Sequence, residues 1–378
     1  MPIKINSTGG GSVSIDVPST GGTYTLTAPA NNATIFTTDG GAITGNVGFS
    51  GAVSFASNNV SIAGQTVSPY GAKNKIINGG FDIWQRGTVG WMGSVVSYVS
   101  ADRWSGRHTG GANSSISQST SVPTGSGFRY SAKVGRSSGS STAGYVELLQ
   151  AIETNNSISL QGQTVTLSFY AKIGANFSGA SNQIAAYIFT GTGTDDAASN
   201  MGSWAGVSSS GSNFILSTSW QKFTLTASLG SNITQIGLYF NYQNSGTSGA
   251  DDNFYITGIQ LEAGPVATPF EFRQIGTELA LCQRYYSAVS SLFYDTVGSA
   301  YNGLTQTRYA YHIGLSLPVQ QRSSPTITYS MNVGPGTDVS ANFASTQNDG
   351  RYIRWRNAGS GFATTGDIYV SYTASAEL

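Results

Sequence analysis

The chain has 378 residues, of which 10% are charged and 11% are aromatic, with a net charge of zero. This composition excludes intrinsic disorder, which needs low hydrophobicity and high net charge. The balanced charge also excludes the strong positive field that attracts a nucleic-acid backbone, so we expect no nucleic-acid partner.

Residues 1–40 predict short β segments in a polar, glycine-rich context. Val13, Ile15 and Val17 share one face of an alternating run, which is typical of a strand. The chain begins without the apolar core of a signal peptide, and it contains no run of 18 apolar residues. We therefore expect neither a secretion signal nor membrane insertion.

Residues 41–66 contain a six-residue repeat. Gly45–Ser50 is followed at once by Gly51–Ala56, and each unit has Val at its third position and Phe at its fifth. One chain has nothing to cover these apolar side chains, but three copies wound around an axis would cover them. We therefore predict that residues 41–74 form a short shaft and linker, and that the protein is a homotrimer. An ordinary pair of hairpins packed on the next domain remains an alternative.

Residues 75–272 predict a jelly-roll β-sandwich, because many short alternating strands are separated by turn residues. Val165, Leu167, Phe169 and Ala171 form the clearest of these strands. The apolar parity slips at Thr257–Gly258, where a β-bulge would return the later side chains to the same face.

Residues 273–378 predict one helix followed by a second, smaller β-sandwich. Ile275, Leu279, Cys282 and Tyr286 have helical spacing within 275–289, and alternating runs follow to the end of the chain. Cys282 is the single cysteine, so it is predicted to be a small core residue and no intrachain disulfide is possible. Together the predicted elements make the chain all-β.

Several motifs occur in an order that resembles a family of phage proteins. They are Lys75–Gly87, Ala101–Trp104, Phe254–Glu262, Pro265–Glu271, Leu279–Tyr286, Leu317–Ile327 and Ala374–Leu378. This pattern resembles the tail-fibre and related virion proteins of tailed bacteriophages, whose jelly-roll domains look like carbohydrate-binding modules. The resemblance covers about 75–378.

The resemblance implies a fibre protein of the virion, made in the host bacterial cytoplasm, that attaches the phage to host surface polysaccharide. Residues 1–40 would then be the virion-attachment segment that binds other tail, baseplate or capsid proteins. Residues 273–378 would be the receptor-binding tip. A capsid decoration, a head fibre or a baseplate adaptor with a purely structural role is the alternative.

Sugar binding by such modules needs flat aromatic side chains near the surface. Trp84 and Trp104 lie inside the family motifs, and these two residues and Trp220 are predicted to be core residues. Aromatic residues outside those motifs, in glycine- and serine-rich stretches or in the C-terminal domain, are the candidates for sugar binding. They are Trp91, Tyr98, Trp204, Tyr301, Tyr309 and Trp355.

The resemblance also implies a structural calcium ion where the first and last strands of the jelly roll meet. Calcium requires six to eight oxygen ligands, many of them carboxylates. The candidate ligands are Asn78, Asp82, Asp251 and Asp252. Turn and capping roles for the same side chains are the alternative. We expect no other cofactor.

A glycan depolymerase of the tailspike class is a less favoured hypothesis. It needs two carboxylates about 5–10 Å apart across a sugar, for which the candidates are Glu147, Glu153, Asp195, Asp196, Asp251 and Asp252. Adjacent acids on a strand point to opposite faces, and the chain lacks the repeats of a long solenoid. We therefore predict no catalytic residues and no enzymatic activity.

Overall fold

The computed structural model describes residues 3–6, 12–15, 60–62, 65–67, 73–111, 113–293, 313–333, 352–355 and 368–378. The chain forms two compact units, Met1–Ala56 and Ser57–Leu378. In the first unit, β1 (Ile3–Asn6) and β2 (Ser12–Ile15) form an antiparallel hairpin. The repeat predicted at 45–56 lies outside the described residues.

The second unit begins with a small antiparallel hairpin of β3 (Val60–Ile62) and β4 (Gln65–Val67). A β-sandwich of two antiparallel sheets follows. Its strands are β5 (Val89–Met92), β6 (Ser105–His108), β7 (Ser114–Ser119), β8 (Ser131–Arg136), β9 (Tyr145–Ile152), β10 (Thr164–Ile173), β11 (Gln183–Gly191), β12 (Ser208–Ile215), β13 (Gln221–Ser228), β14 (Gln235–Gln243) and β15 (Asn253–Ala263).

Within the described residues, one sheet has six strands in the order β13-β10-β15-β8-β7-β5, and the other has five in the order β12-β11-β14-β9-β6. Short helical segments interrupt the connections. They are α1 (Thr154–Ser157) and the 3-10 turns Ile158–Leu160, Ala180–Asn182 and Ala198–Ser203. The all-β sandwich predicted from strand periodicity is thus confirmed.

The core lies between the inner faces of the two sheets. Val165, Leu167 and Phe169 of β10 are fully buried, as their alternation predicts, and they face apolar side chains of β14 such as Leu238 and Phe240. The Phe169 and Phe240 rings meet edge to face at 5.2 Å. Burial of each such side chain contributes roughly 1.5–3 kcal/mol to the free energy of folding. The apolar side chains between the two sheets therefore hold the sheets together.

The β-bulge predicted at Thr257–Gly258 is confirmed. Strand β10 pairs Ser168 with Gln260 but Tyr170 with Thr257, so the register shifts at this point. Gly258 has φ +63°, a left-handed conformation that glycine adopts without steric cost. The shift brings the apolar side chains after the bulge back to the inner face.

The predicted helix is shorter than expected. Helix α2 spans Ile275–Gln283, and its buried face contains Cys282, which has no exposed surface. The prediction that the helix extends to 289 is wrong. The main-chain N–H of Tyr285 donates to the carbonyl of Cys282, which tightens the last turn, and the alternating residues from Tyr286 onward form a strand instead.

The described C-terminal residues form two antiparallel sheets. Strand β20 pairs with β16 and β18, while β17 pairs with β19. These strands are β16 (Tyr286–Phe293), β17 (Ile313–Ser316), β18 (Thr326–Val333), β19 (Tyr352–Trp355) and β20 (Ile368–Ser375). No described helix is long and apolar enough to cross a membrane.

A second apolar cluster joins the C-terminal residues to the outer face of the five-stranded sheet. Leu149 on that face packs in one cluster with Trp204, Cys282, Tyr285 and Leu378. Ion pairs reinforce this contact from the side, Arg284 with Glu153 at 3.1 Å and Arg322 with Asp195 at 3.1 Å. Part of the outer face is therefore covered by the protein's own chain, and part is left open.

Candidate functional site

The open part of the five-stranded sheet carries a cluster of three aromatic side chains, which we call the aromatic face. Tyr187 and Phe189 alternate along β11 with core residues, so they point outward, and the register places Tyr187 opposite Tyr239 of β14. Their ring centroids are 5.9–6.0 Å apart in each pair. All three residues are half-buried, and Phe189 and Tyr239 also pack against the edge of the second apolar cluster.

The absence of a side chain at Gly211 leaves room for the ring of Tyr187. Gly211 lies opposite Tyr187 on the edge strand β12, and a Cβ atom there would lie 2.0 Å from Cδ1 of the tyrosine ring. The ring therefore lies flat over the backbone of β12. The residues on either side of Gly211 on the same face of β12 are Ser209 and Asn213, which are small or polar.

Polar groups lie next to the aromatic face on the same side of the sheet. Arg107 of β6 donates two hydrogen bonds to Glu147 of β9, from Nε at 2.7 Å and from Nη2 at 2.9 Å. Asn241 of β14 is the register partner of Glu147 on its other side. Arg107 keeps 32% of its side-chain surface exposed while Glu147 keeps 2%, so the carboxylate holds the guanidinium in a fixed and accessible position.

The phenol of Tyr239 links the aromatic and polar groups. Burial, together with the charge of Glu147 and a hydrogen bond to it, raises the pKa of Tyr239 above its ordinary value. The phenol is therefore neutral at physiological pH and remains a hydrogen-bond donor. Flat rings beside fixed, planar polar groups are what binding of a sugar ring requires, because one face of a sugar is apolar and its edge carries hydroxyls.

Two aromatic residues that the sequence predicted for sugar binding make internal hydrogen bonds. Trp204 is 3% exposed, and its indole N–H donates to the carbonyl of Ala197 at 3.1 Å. Tyr98 donates its hydroxyl to the carbonyl of Leu378 at 2.8 Å, and burial raises its pKa to about 12. The assignment of Trp204 as a surface residue is wrong, because the 198–203 turn and the C-terminal residues pack around it, whereas Tyr98 is half-buried and only its hydroxyl is engaged by the chain end.

The other predicted aromatics have different outcomes. Trp91 is 64% exposed on β5, so it stays a candidate. Trp355 lies on β19, opposite Ile313, and its side chain is outside the described part of the structure. Tyr301 and Tyr309 also lie outside the described residues, so these three assignments stay predictions.

The four predicted calcium ligands do not form one site. Gly79, next to Asn78, pairs with Ile259, which is seven residues beyond Asp252; at about 3.3 Å per residue this separates Asn78 from Asp252 by roughly 23 Å. The carboxamide of Asn78 binds the main chain of Ile83 and Asp102. In the described parts of the chain, no three His, Cys, Asp or Glu side chains lie close enough to hold a metal ion.

Two of the three carboxylates of that set form ion pairs within the protein. Asp252 is paired with Arg136, and Asp251 with Lys133 at 3.1 Å. Asp82 is half-buried, and burial raises its pKa. The turn and capping alternative therefore describes Asn78 and Asp252 better than metal ligation does.

Sequence analysis did not identify Tyr187, Phe189 and Tyr239 as candidate binding residues. The signal was present, because Tyr187 and Phe189 have the opposite parity to the buried Ile184, Ala186 and Ile188. Sequence patterns, however, assign outward residues of a strand to solvent without indicating which of them meet across neighbouring strands.

No family model and no curated protein matches the sequence. The structure is similar to the enzymatically active domain of bacteriophage CBA120 tailspike protein 4, at 16% identity and TM-score 0.32, covering 50% of this chain and 21% of that one. It is similar to TmCBM61 in complex with β-1,4-galactotriose, at 12% identity and TM-score 0.30, covering 51% of this chain and 99% of that one. A third similar structure is the CBM22-1 xylan-binding domain of Paenibacillus barcinonensis Xyn10C, at 11% identity and TM-score 0.26, covering 43% and 87%. All three TM-scores lie below 0.5, so these likenesses assign neither a family nor a ligand to this chain.

Proposed function

We propose that this protein is a non-enzymatic fibre protein of a tailed-phage virion that binds host surface glycans through the aromatic face. The observation that carries the proposal is the group of three half-exposed rings, Tyr187, Phe189 and Tyr239, held beside the fixed Arg107–Glu147 pair. The rings would stack on the apolar face of a sugar, and the guanidinium of Arg107 would bind its hydroxyls.

Binding without catalysis is supported by the state of the acidic side chains. Glu147 is paired with Arg107, Glu153 with Arg284, and Asp195 with Arg322. A general acid and its partner carboxylate must reach across one sugar with their oxygens free to exchange protons. These carboxylates instead form ion pairs with guanidinium groups, so their role is to hold the arginine side chains in position.

Replacing Tyr187 by Ala should weaken glycan binding about tenfold, because the loss of one stacked ring removes about 1.5 kcal/mol. Tyr187→Phe should bind nearly as well as the unchanged protein, because it keeps the ring. The measurement is affinity electrophoresis or calorimetry with polysaccharide purified from the host surface. Phe272→Ala is the control, since Phe272 is an exposed aromatic, 55% accessible, outside the aromatic face. Equal binding by Tyr187→Ala and Phe272→Ala would remove the aromatic face as the site.

The fibre part of the proposal rests on the repeat at 45–56, and it requires three chains around one axis. Three weak glycan sites on one fibre would bind a surface much more tightly than one site does. Residues 1–40 would attach this fibre to the other proteins of the virion.

Mass measurement at micromolar concentration should therefore give three chains per particle. Val47→Asp combined with Val53→Asp places charges at the apolar third positions of the two repeat units, and it should shift the particle to one chain. Asn46→Asp adds a charge at a polar position of the first unit and should leave the trimer intact. A stable, folded monomer of the unchanged protein would contradict the fibre proposal.

A further inference from the structure

The outer face of the six-stranded sheet carries a row of lysines and aromatic rings, which we call the lysine face. The register places Lys133 of β8 opposite Tyr255 of β15, and Tyr255 opposite Lys172 of β10. One step along the same face, Tyr170 lies opposite Lys222 of β13, whose Nζ atom is 6.0 Å from the centre of the tyrosine ring. These side chains alternate with core residues, so they point away from the sandwich interior.

The lysine side chains are held over the aromatic rings. Nζ of Lys172 lies 4.7 Å from the centre of Tyr255 and 5.7 Å from the ring of Trp220, and Nζ of Lys133 lies 5.6 Å from Tyr255. Tyr255 is 8% exposed, and the Trp220 ring packs against it edge to face at 6.5 Å. Cation–π contacts of this kind contribute roughly 0.5–1 kcal/mol each at exposed sites, so the ammonium groups have preferred positions above the sheet. Trp220, predicted to be a core residue, is half-buried on this outer face instead.

The lysine face keeps a net positive charge. Lys133 is neutralised by Asp251 at 3.1 Å, but among the described residues no carboxylate lies within 4.0 Å of Lys172 or Lys222. Lys222 donates a hydrogen bond to the carbonyl of Thr268, which is uncharged. Three of the chain's six lysines lie on this face, beside two carboxylates, Asp251 and Glu262, so these five groups together carry one positive charge.

We propose that the lysine face is a second glycan-binding surface, selective for acidic polysaccharide. Lys172 and Lys222 would pair with carboxylates on successive sugars, while the rings of Tyr170 and Trp220 would contact the apolar sugar faces. Trp91, 64% exposed on the outermost strand β5 of the same sheet, would extend the contact surface. Flat rings between the charges favour a glycan over an acidic peptide, which has no apolar ring face to stack.

The lysine face and the aromatic face lie on the two opposite outer surfaces of one sandwich. Binding at the lysine face would depend mainly on pairing of charges, whereas binding at the aromatic face would depend mainly on stacking and on hydrogen bonds from Arg107 to sugar hydroxyls. The two surfaces can therefore be tested separately, and neither proposal rests on the other.

The probe is oligomeric polygalacturonate, with its fully methyl-esterified form as the uncharged control. We expect the acidic form to bind the full-length protein about tenfold more tightly than the ester, and the difference to shrink as salt screens the charges. Lys172→Met combined with Lys222→Met should weaken binding of the acidic form about fivefold to tenfold. Lys75→Met removes a lysine elsewhere in the chain and should change binding less than twofold. Tyr187→Ala should bind polygalacturonate as well as the unchanged protein does.

Several outcomes would overturn the inference. The ester could bind as tightly as the acid, or the double lysine variant could bind as well as Lys75→Met. Tighter binding of oligoglutamate or of a DNA duplex would show that the face recognises another class of polyanion. If Tyr187→Ala lost polygalacturonate binding while the lysine variant kept it, the ligand would belong to the aromatic face, and only the lysine-face inference would fail.

Discussion

Replacing Arg136 by Met should lower the free energy of unfolding by about 3–5 kcal/mol, the cost of leaving a buried charge without its partner. The side chains of Arg136 and Asp252 are both fully buried, and Nε of the arginine donates to Oδ2 of the aspartate at 2.8 Å. The remaining guanidinium donors bind three connections at one end of the sandwich. Their acceptors are the carbonyls of Ser140, Thr142, Ser245 and Gly246 and the hydroxyl of Ser178.

Urea denaturation followed by tryptophan fluorescence measures this loss. Arg129→Met is the control, because Arg129 is exposed and such substitutions change stability by about 0.5 kcal/mol or less. Adding Asp252→Asn to Arg136→Met should cost less than the sum of the two single changes, since it removes the stranded charge. Additive losses, or a loss of under 1 kcal/mol for Arg136→Met, would show that the pair does not hold these connections.

Replacing Glu377 by Ala should also cost about 3–5 kcal/mol, because two buried guanidinium groups would lose their shared partner. Arg86 donates to Glu377 at 2.9 Å, and Arg103 donates to its other carboxylate oxygen. Arg103 is 1% exposed and Glu377 is 7% exposed. The Arg103 guanidinium also lies 3.5 Å from the ring centre of Tyr285, so the last residues of the chain, the connection between helix α2 and β16, and the sandwich meet at this point.

A second buried carboxylate, that of Asp102, lies next to the Glu377 ion pairs and affects what happens when Glu377 is removed. Asp102 also pairs with Arg86, at 3.1 Å, and burial raises its pKa to about 6. Without Glu377, Arg86 would keep Asp102 while Arg103 would have no carboxylate. The loss should therefore appear as release of the C-terminal residues before the sandwich itself unfolds.

Denaturation monitored together with limited proteolysis tests this order of events. In Glu377→Ala, cleavage within the C-terminal segment should occur at urea concentrations that leave the sandwich intact. Thr373→Ala, a neutral change on the neighbouring strand β20, should behave as the unchanged protein does. Simultaneous loss of both parts, at the unchanged midpoint, would show that Glu377 does not anchor the chain end.

For the two candidate binding surfaces, the outward direction of each side chain could be predicted from the sequence, but its neighbours on adjacent strands could not. Tyr187 and Phe189, like Lys172 and Tyr170, are visible in the sequence as the outward parity of predicted strands. Their neighbours across the sheet depend on strand order, and β11 pairs with β14 although some 40 residues separate them in the sequence. Alternation within one strand contains no information about that order.

The sequence by itself determined the all-β class, the inward parity of strands such as Val165–Ala171, and the bulge at Gly258, because each of these depends on residues close together in the chain. Tertiary structure alone decided that Trp204 is buried and Trp91 exposed, that Asn78 lies far from Asp252, and that the C-terminal residues close over one end of the five-stranded sheet. Each of these outcomes depends on which distant segments of the chain pack together. Packing is stabilised by contacts between residues far apart in the sequence, and local periodicity does not specify those contacts.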